Sequence, residues 1–367
     1  MLKKALFNLG FYTQEEMLSF LNIMNIAGYF SFDHISSALH ALCIYNLKLL
    51  EHVISIINYK KYSEIFVEKF NSEYVLNNLF NNDKIIDIED IEDLFFYLSQ
   101  NAFARSLGQE RDSLQDDLWM FEHKMLYLDN AYKLGLIQES KADRKDFDEA
   151  WLLGASFSSY EARLKHFKYN LKCGCQFSKI RVLTGQRVLS DSLDGKANIK
   201  FVKDSLSMSS DVLMETDMVA ALHAKYLPNV DVEIINTGQN ADGNRPTTIT
   251  TAIDASKNLI DDLSLMNDSK GKEINIYSQS NQPHAKRQAL ANENTIKEYF
   301  KDKGIKASVK LYPVGPEISL ENTSNVTVIH SELASLVSEH YKKYILITGM
   351  QGKRNIDSLF YQSRNLI

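Results

Sequence analysis

From Ala150 onward, short apolar runs alternate with amphipathic segments, and this alternation restricts the fold more than any other feature of the chain. The runs fall at 150–153, 180–183, 232–235, 274–277, 309–312 and 344–347. Helical patterns lie between them, such as Tyr160, Leu164, Phe167 and Leu171, or the stretch from Met214 to Tyr226 ahead of Pro228. Strands of four to six residues joined by amphipathic helices predict a parallel sheet buried under helices. The expected fold class is α/β: a helical N-terminal domain over 1–145, then a Rossmann-like domain over 146–367 with a mostly parallel sheet and helices on both faces. The segment 191–210, rich in Ser, Asp and Lys, reads as a surface loop after the second strand, placed to cover a site.

The first part has a different rhythm and a different charge. Met17, Phe20, Leu21 and Met24 follow helical spacing, as do Leu114, Leu118, Phe121, Met125, Leu128 and Tyr132, with Gly135 as a stop. Residues 1–150 carry 14 Lys/Arg and 24 Asp/Glu, a net −10, and the remaining 217 carry 27 and 23, a net +4. The polar stretch 138–146 reads as the link between the two parts. Three cysteines cannot staple 367 residues, so burial must stabilise the chain, and a reducing compartment fits. No uncharged run reaches the ~20 residues that span a bilayer, and the N-terminal stretch lacks a signal-peptide cleavage pattern. The expectation is a soluble, cytoplasmic protein without a membrane anchor.

In an open α/β sheet, ligands bind outside the carboxyl ends of the strands. The segments at those ends are polar and rich in small residues. Gly154, Ser156 and Arg163 follow the first strand, and Thr184, Gly185, Gln186 and Arg187 close the second. Asn236, Arg245 and Thr248 follow the third, and Ser278, His284 and Arg287 the fourth. Small residues let backbone approach a ligand, helix N-termini favour anions, and Arg forks suit phosphate or carboxylate. Ser, Thr and Asn at such positions also serve as ordinary helix caps. Arg187, read as a loop-tip residue with little packing to lose, is taken as a ligand contact.

These pieces, in this order, resemble the YdcF/SanA/ElyC family of bacterial α/β proteins over about residues 150–312. The carrying residues are Leu153-Gly154 followed by Arg163, Thr184-Gly185, Glu215 at a helix start, Thr247-Thr248 before another helix, and His284-x-x-Arg287 after a strand. The resemblance implies the same α/β fold and a polar, nucleotide-like or envelope-precursor ligand. The chain departs from the pattern at Gln186 and Arg187, where the family has small residues, in the extra 191–210 segment, and at Gln288, which separates Arg287 from Ala289. Members also often carry an N-terminal membrane anchor.

The function expected is binding of a phosphorylated or nucleotide-like small molecule in an Arg-lined cleft, with His284 or Glu215 moving protons in a transferase or hydrolase. A nucleotide-like ligand or S-adenosylmethionine is the candidate cofactor. One alternative is an interaction protein whose acidic helical domain docks a partner while the α/β domain is a scaffold. A further alternative is a serine hydrolase using Ser156, with His284 as base and Asp254 as acid. Glu215 and Asp217, two apart on a helix, diverge and make no carboxylate pair. Neither GxGxxG nor GxxxxGK[ST] occurs, and Gly349-x-x-Gly352-Lys353-Arg354 is too short for a phosphate loop of that type. No His-Glu-x-x-His is present, and Cys173-x-Cys175 has no second pair, so no metal site is expected. Scattered lysines give no nucleic-acid stripe.

Overall fold

The structure, a computed structural model, describes residues 2–27, 38, 88–103, 122–210, 212–239, 246–265, 272–318 and 326–348. Helices α1 (Leu2–Asn8), α2 (Gln14–Ile26), α3 (Ile88–Phe103) and α4 (Lys124–Lys133) come first. Then follow β1 (Asp146–Leu153), α5 (Phe157–Lys172), β2 (Gln176–Gly185), α6 (Asp191–Asp194), α7 (Lys196–Ser205), α8 (Glu215–Tyr226) and β3 (Glu233–Thr237). Helix α9 (Thr248–Leu265), β4 (Glu273–Gln279), α10 (Ala285–Asp302), β5 (Ser308–Val314) and α11 (Val326–Thr348) complete the order. The chain clusters into two units, Met1–Leu136 with Leu320–Ile367, and Ile137–Ser319.

In the helical unit, α2 starts at a capping box. Glu16 N–H donates to Thr13 Oγ1 at 3.1 Å, and Thr13 N–H to the Glu16 carboxylate at 3.0 Å. Met17, Phe20, Leu21 and Met24 are all buried, as their spacing predicts. Helix α4 ends where Gly135 was expected to stop it, with Gly135 N–H on Tyr132 O and Leu136 N–H on Ala131 O. Its buried face is not the predicted stripe. Tyr127, Leu128 and Ala131 are buried, whereas Met125 and Tyr132 are exposed, and Leu114, Leu118 and Phe121 lie outside the described residues.

The run at 344–347, read as a sixth strand, is the end of α11. Val326, Ile329, Leu333, Val337 and Tyr341 recur at three- and four-residue steps and are all buried, so the helical period governs the whole segment. This helix belongs to the helical unit rather than to the sheet, so the expected 146–367 grouping differs from the observed division. Tyr341 stacks on Phe96 of α3 with ring centroids 4.3 Å apart, and His330 Nδ1 meets Tyr127 OH at 2.8 Å.

The second unit is built on a five-stranded, all-parallel sheet in the order β3-β2-β1-β4-β5. One face carries Ala150, Leu152, Val182 and Tyr277 under Tyr160, Leu164 and Phe167 of α5, Val202 of α7 and Leu222 of α8. The other carries Trp151, Leu153, Ile235 and Ile276 under Ala252, Ala255 and Leu259 of α9 and Ala289, Ile296 and Phe300 of α10. Alternate strand residues thus face opposite helical layers, which is why the strands read as continuous apolar runs.

Two sequence expectations fail here for the same reason, unseen tertiary partners. The 191–210 segment is not an open loop. It contains α6 and α7, with Val202 fully buried and Ile199 and Leu206 packed against the core. Their i, i+3, i+7 spacing was hidden by the polar composition. Nor is 138–146 a loose link: Ser140 pairs with Gly315 through 2.9 and 3.0 Å backbone bonds, and Gln138 O accepts from Gln282 Nε2 at 2.7 Å.

The helix-α9 face also buries charge. Arg181, fully buried on β2, donates to Glu149 on β1, to Glu233 on β3 at 3.0 Å and to Asp262 on α9, and Trp151 Nε1 donates to the other Glu149 oxygen at 2.7 Å. Removing the cation strands Glu149 in the core, a loss typically worth about 3–5 kcal/mol. Arg181→Met is therefore expected to lower stability by that amount, and Arg181→Met with Glu149→Leu to recover most of it. Denaturant unfolding read from Trp151 fluorescence in a Trp119→Phe background checks this. A double variant no better than the single one would refute it.

On the opposite face His223 is buried, with Nε2 2.8 Å from Tyr160 OH, and burial lowers its pKa to about 4. The unfolded chain takes up a proton near pH 6.5 while the folded chain resists it, so this contribution is complete above 6.5 and is lost as pH falls toward 4. The linkage amounts to about 3 kcal/mol. His223→Gln should flatten the stability slope between pH 6.5 and 4. An unchanged slope in that variant would assign the acid sensitivity elsewhere.

Candidate functional site

The strand order reverses between β1 and β4, because the chain leaves β1 toward β2 and β3 and later returns to the other side for β4 and β5. Loops leaving adjacent strands on either side of such a point diverge and open a crevice at the carboxyl ends. One wall is the turn 154–156 into α5, and the other is 280–284 into α10.

Gly154 is held in a tight place. Its N–H donates to Leu183 O at 2.7 Å, and a Cβ added there would stand 2.9 Å from that carbonyl and collide with Glu215 Oε1. Only glycine lets the β1 end lie against the first turn of α8. Arg163, nearly two helical turns beyond the start of α5, is buried. Its Nη1 donates to the carbonyls of Leu153 and Gly154, and its Nε to Asn281 Oδ1 at 3.2 Å. Asn281 Nδ2 in turn donates to Ser159 O at 3.1 Å. Arg163 and Asn281 thus brace the two walls of the crevice against each other. Asn281 was within the polar segment after the fourth strand but was not singled out by sequence.

Arg187 is not a loop-tip residue. Its Nη1 and Nη2 engage the two Asp194 oxygens at 2.7 and 3.0 Å, its Nε reaches Glu215 Oε2 at 3.1 Å, and Nη2 reaches Ala155 O at 3.3 Å. The Asp194 side chain is fully buried and also accepts from the amides of Phe157 at 3.1 Å and Ser190 at 3.0 Å. Phe157 is the first residue of α5, so an internal carboxylate already occupies part of the anion-favouring helix start. Burial raises the Asp194 pKa, but the Arg187 hydrogen bonds and the two amides outweigh it and hold the carboxyl below its ordinary value. Sequence reading missed Asp194 because it lay in the supposed loop.

The remaining candidates separate into groups. Ser156 is the N-cap of α5, and its hydroxyl pairs with Ser159 at 3.2 Å. Asp254 is tied to Lys257 at 2.6 Å. The serine hydrolase triad of Ser156, His284 and Asp254 is therefore not assembled, since neither Ser156 nor Asp254 reaches the histidine. Thr184 is buried and donates to Ile235 O at 3.2 Å, and Gly185 is pressed against Pro246, so both build the sheet end. Ser278 is fully buried near the end of β4, opposite Trp151 of β1. Gln186 and Asn236 are exposed toward the β3 edge, and Thr248 starts α9. His284 is the N-cap of α10, and Arg287 follows one turn later; both are half-buried. Arg245 and 349–354 lie outside the described residues. Among the described residues no group of three His, Cys, Asp or Glu side chains converges as a metal set.

The arrangement therefore joins a braced crevice, a helix start whose Ser158 and Ser159 amides have no intrahelical acceptor, and a second helix start bearing His284 and Arg287. Comparison with known proteins adds no relative: no protein-family model, curated protein or solved structure matches the chain.

With Asp194 buried, Arg187→Ala should cost about 3–5 kcal/mol, the loss typical of an orphaned internal charge. Asp194→Asn should cost less. Because the folded pKa of Asp194 lies below its unfolded value, near 3.9, the stability gap between wild type and Asp194→Asn should be full above that pH and close as pH falls through the folded value. Chemical unfolding of both variants from pH 7 to 3 tests this, and a neutral Arg187→Ala would return Arg187 to the role of a free ligand contact.

Proposed function

We propose that the α/β unit binds a phosphorylated or nucleotide-like small molecule in the crevice between the carboxyl ends of β1 and β4. The observation that carries this reading is the strand order, which puts a topological switch point between two loops that both lead into helix starts. In this reading the ligand's anion lies against the Ser158 and Ser159 amides and the Arg287 end of α10, with His284 as the proton-bearing neighbour. Arg163 and Asn281 set the width of the crevice, and Gly154 lets the backbone approach. Arg187 and Glu215 act indirectly, through the ion cluster that fixes the α5 start. The Rossmann-like strand order and the YdcF-like sequence pattern both suit such a ligand. S-adenosylmethionine, a nucleotide and a sugar phosphate are the classes to try first.

The ion cluster also favours a second reading. An α5 start already neutralised by Asp194 suits a scaffold whose site is closed, with partner binding left to the acidic helical unit.

A thermal-shift screen against nucleotides, sugar phosphates and S-adenosylmethionine separates the two. A true ligand at 100 times its Kd stabilises the native state by about 2.7 kcal/mol. The expected result is a rise in Tm with one class, lost in Arg287→Ala and in Asn281→Ala but kept in a surface control such as Lys257→Ala. No shift from any class, or a shift insensitive to both crevice variants, would overturn the small-molecule reading.

A further inference from the structure

Helix α5 ends between two cysteines. Cys173 is its C-cap, Gly174 follows with φ +92°, and Cys175 comes next. Gly174 N–H donates to Leu171 O at 3.0 Å and Cys175 N–H to Asn170 O at 3.1 Å, the double bond pattern of a helix closed by a left-handed residue. A side chain at that φ is strained, so the turn depends on Gly174. Around one residue of helical curvature, flanking Cα atoms are about 5.4 Å apart. That separation lies inside the range of roughly 4.4–6.8 Å spanned by disulfides.

The surroundings suit thiol chemistry. Cys173 is exposed and Cys175 half-buried, and both are free thiols. Lys145 Nζ stands 3.8 Å from the point where a Gly174 Cβ would be, so an ammonium lies over the turn that joins them. The Cys173 side chain raises the Tyr169 pKa, and Lys141 is an electrostatic neighbour of both. Burial and the neighbouring Cys173 raise the Cys175 pKa, and Lys145 partly opposes them. The two thiols therefore differ in access, Cys173 being the exposed one.

We propose that Cys173 and Cys175 form a reversible dithiol–disulfide pair, with Cys173 as the attacking thiol and Cys175 as the resolving one. A small-molecule disulfide such as oxidised glutathione is the co-reactant. The Cys173 thiol loses its proton to solvent, and its sulfur attacks one sulfur of that disulfide; the S–S bond breaks and one glutathione thiolate leaves. Cys175 then loses its proton and attacks the Cys173 sulfur of the mixed disulfide, releasing the second glutathione. Two protein thiols are oxidised to one disulfide, one glutathione disulfide is reduced to two thiols, and the two protons end on the departing thiolates. The ammonium over the turn partly offsets the burial that raises the Cys175 pKa.

The third cysteine, Cys43, lies outside the described residues, but trypsin separates it from the pair, because cleavage after Lys172 and Lys179 yields one peptide, 173–179, holding both Cys173 and Cys175. The full-length protein would be equilibrated in reduced and oxidised glutathione at several ratios, acid-quenched, alkylated and mapped by mass spectrometry. The expected wild-type product is peptide 173–179 lighter by two hydrogens, unalkylated, and restored by added reduced glutathione. In Cys175→Ser the glutathione adduct on Cys173 should persist, and Lys145→Gln should slow wild-type disulfide formation several-fold. Stable glutathione adducts on both cysteines of the wild-type protein, linkage of either one to Cys43, or a fully reduced peptide at every ratio would overturn the proposal. These readouts are independent of ligand binding in the crevice.

Discussion

A buried carboxylate has to be answered by a cation and by amide donors, and Asp194 shows how far that requirement reaches. With its side chain fully removed from water, an isolated charge would cost several kcal/mol, so its four donors are needed together. Those donors come from the start of α5, the turn after β2 and the residue before α6. Arg187, which supplies two of them, also reaches Glu215 at the start of α8 and the carbonyl of Ala155. One guanidinium thus links the ends of β1 and β2 with three helices. The close approach at Gly154 is a consequence, because Glu215 can pair with Arg187 only if nothing projects from the β1 end.

The same principle operates at mid-sheet with Arg181, but with a different effect. There the cation joins β1, β2 and β3 to the last turns of α9, well below the carboxyl edge, and its partners are saturated by Lys179, Asn258 and Trp151. That cluster fixes register and helix position without facing the crevice. Three of the unit's arginines, Arg163, Arg181 and Arg187, therefore serve as internal ties, and an Arg at the end of a strand is not by itself a hook for an external anion.

How much of this was legible in the sequence follows from which forces leave a local trace. The five strands were readable because a sheet buried on both faces demands continuous apolar runs such as Ala150 to Leu153. Helix α2 was readable because Met17, Phe20, Leu21 and Met24 mark one face. The run at 344–347 misled because its β-branched residues look like a strand when read alone, whereas the buried steps from Val326 to Tyr341 continue a helix into it. Helix α7 was hidden because Ile199, Phe201 and Val202, with Leu206 after it, are spread through a polar background. The polar segments after β1 to β4 lie at one edge of the parallel sheet, yet the pairing of Arg187 with Asp194 depends on a helix that local composition concealed. Arg163 was read as an anion contact and Asn281 was not singled out, because their mutual bond joins residues 118 positions apart and has no sequence signature.

That distribution of ties narrows where a ligand's charge can be met. At the α5 start one amide and one guanidinium are committed to Asp194, while the carbonyls of Leu153, Gly154 and Ala155 are turned toward arginines. An incoming anion would find the Ser158 and Ser159 amides there but not that of Phe157, which Asp194 holds. The α10 start carries His284 and Arg287 three residues apart on one face. In the proposed reading, a ligand's charge would be met more at the fourth strand's loop than at the first strand's loop. The α5 wall would then supply shape and two amides, and the α10 wall the charge.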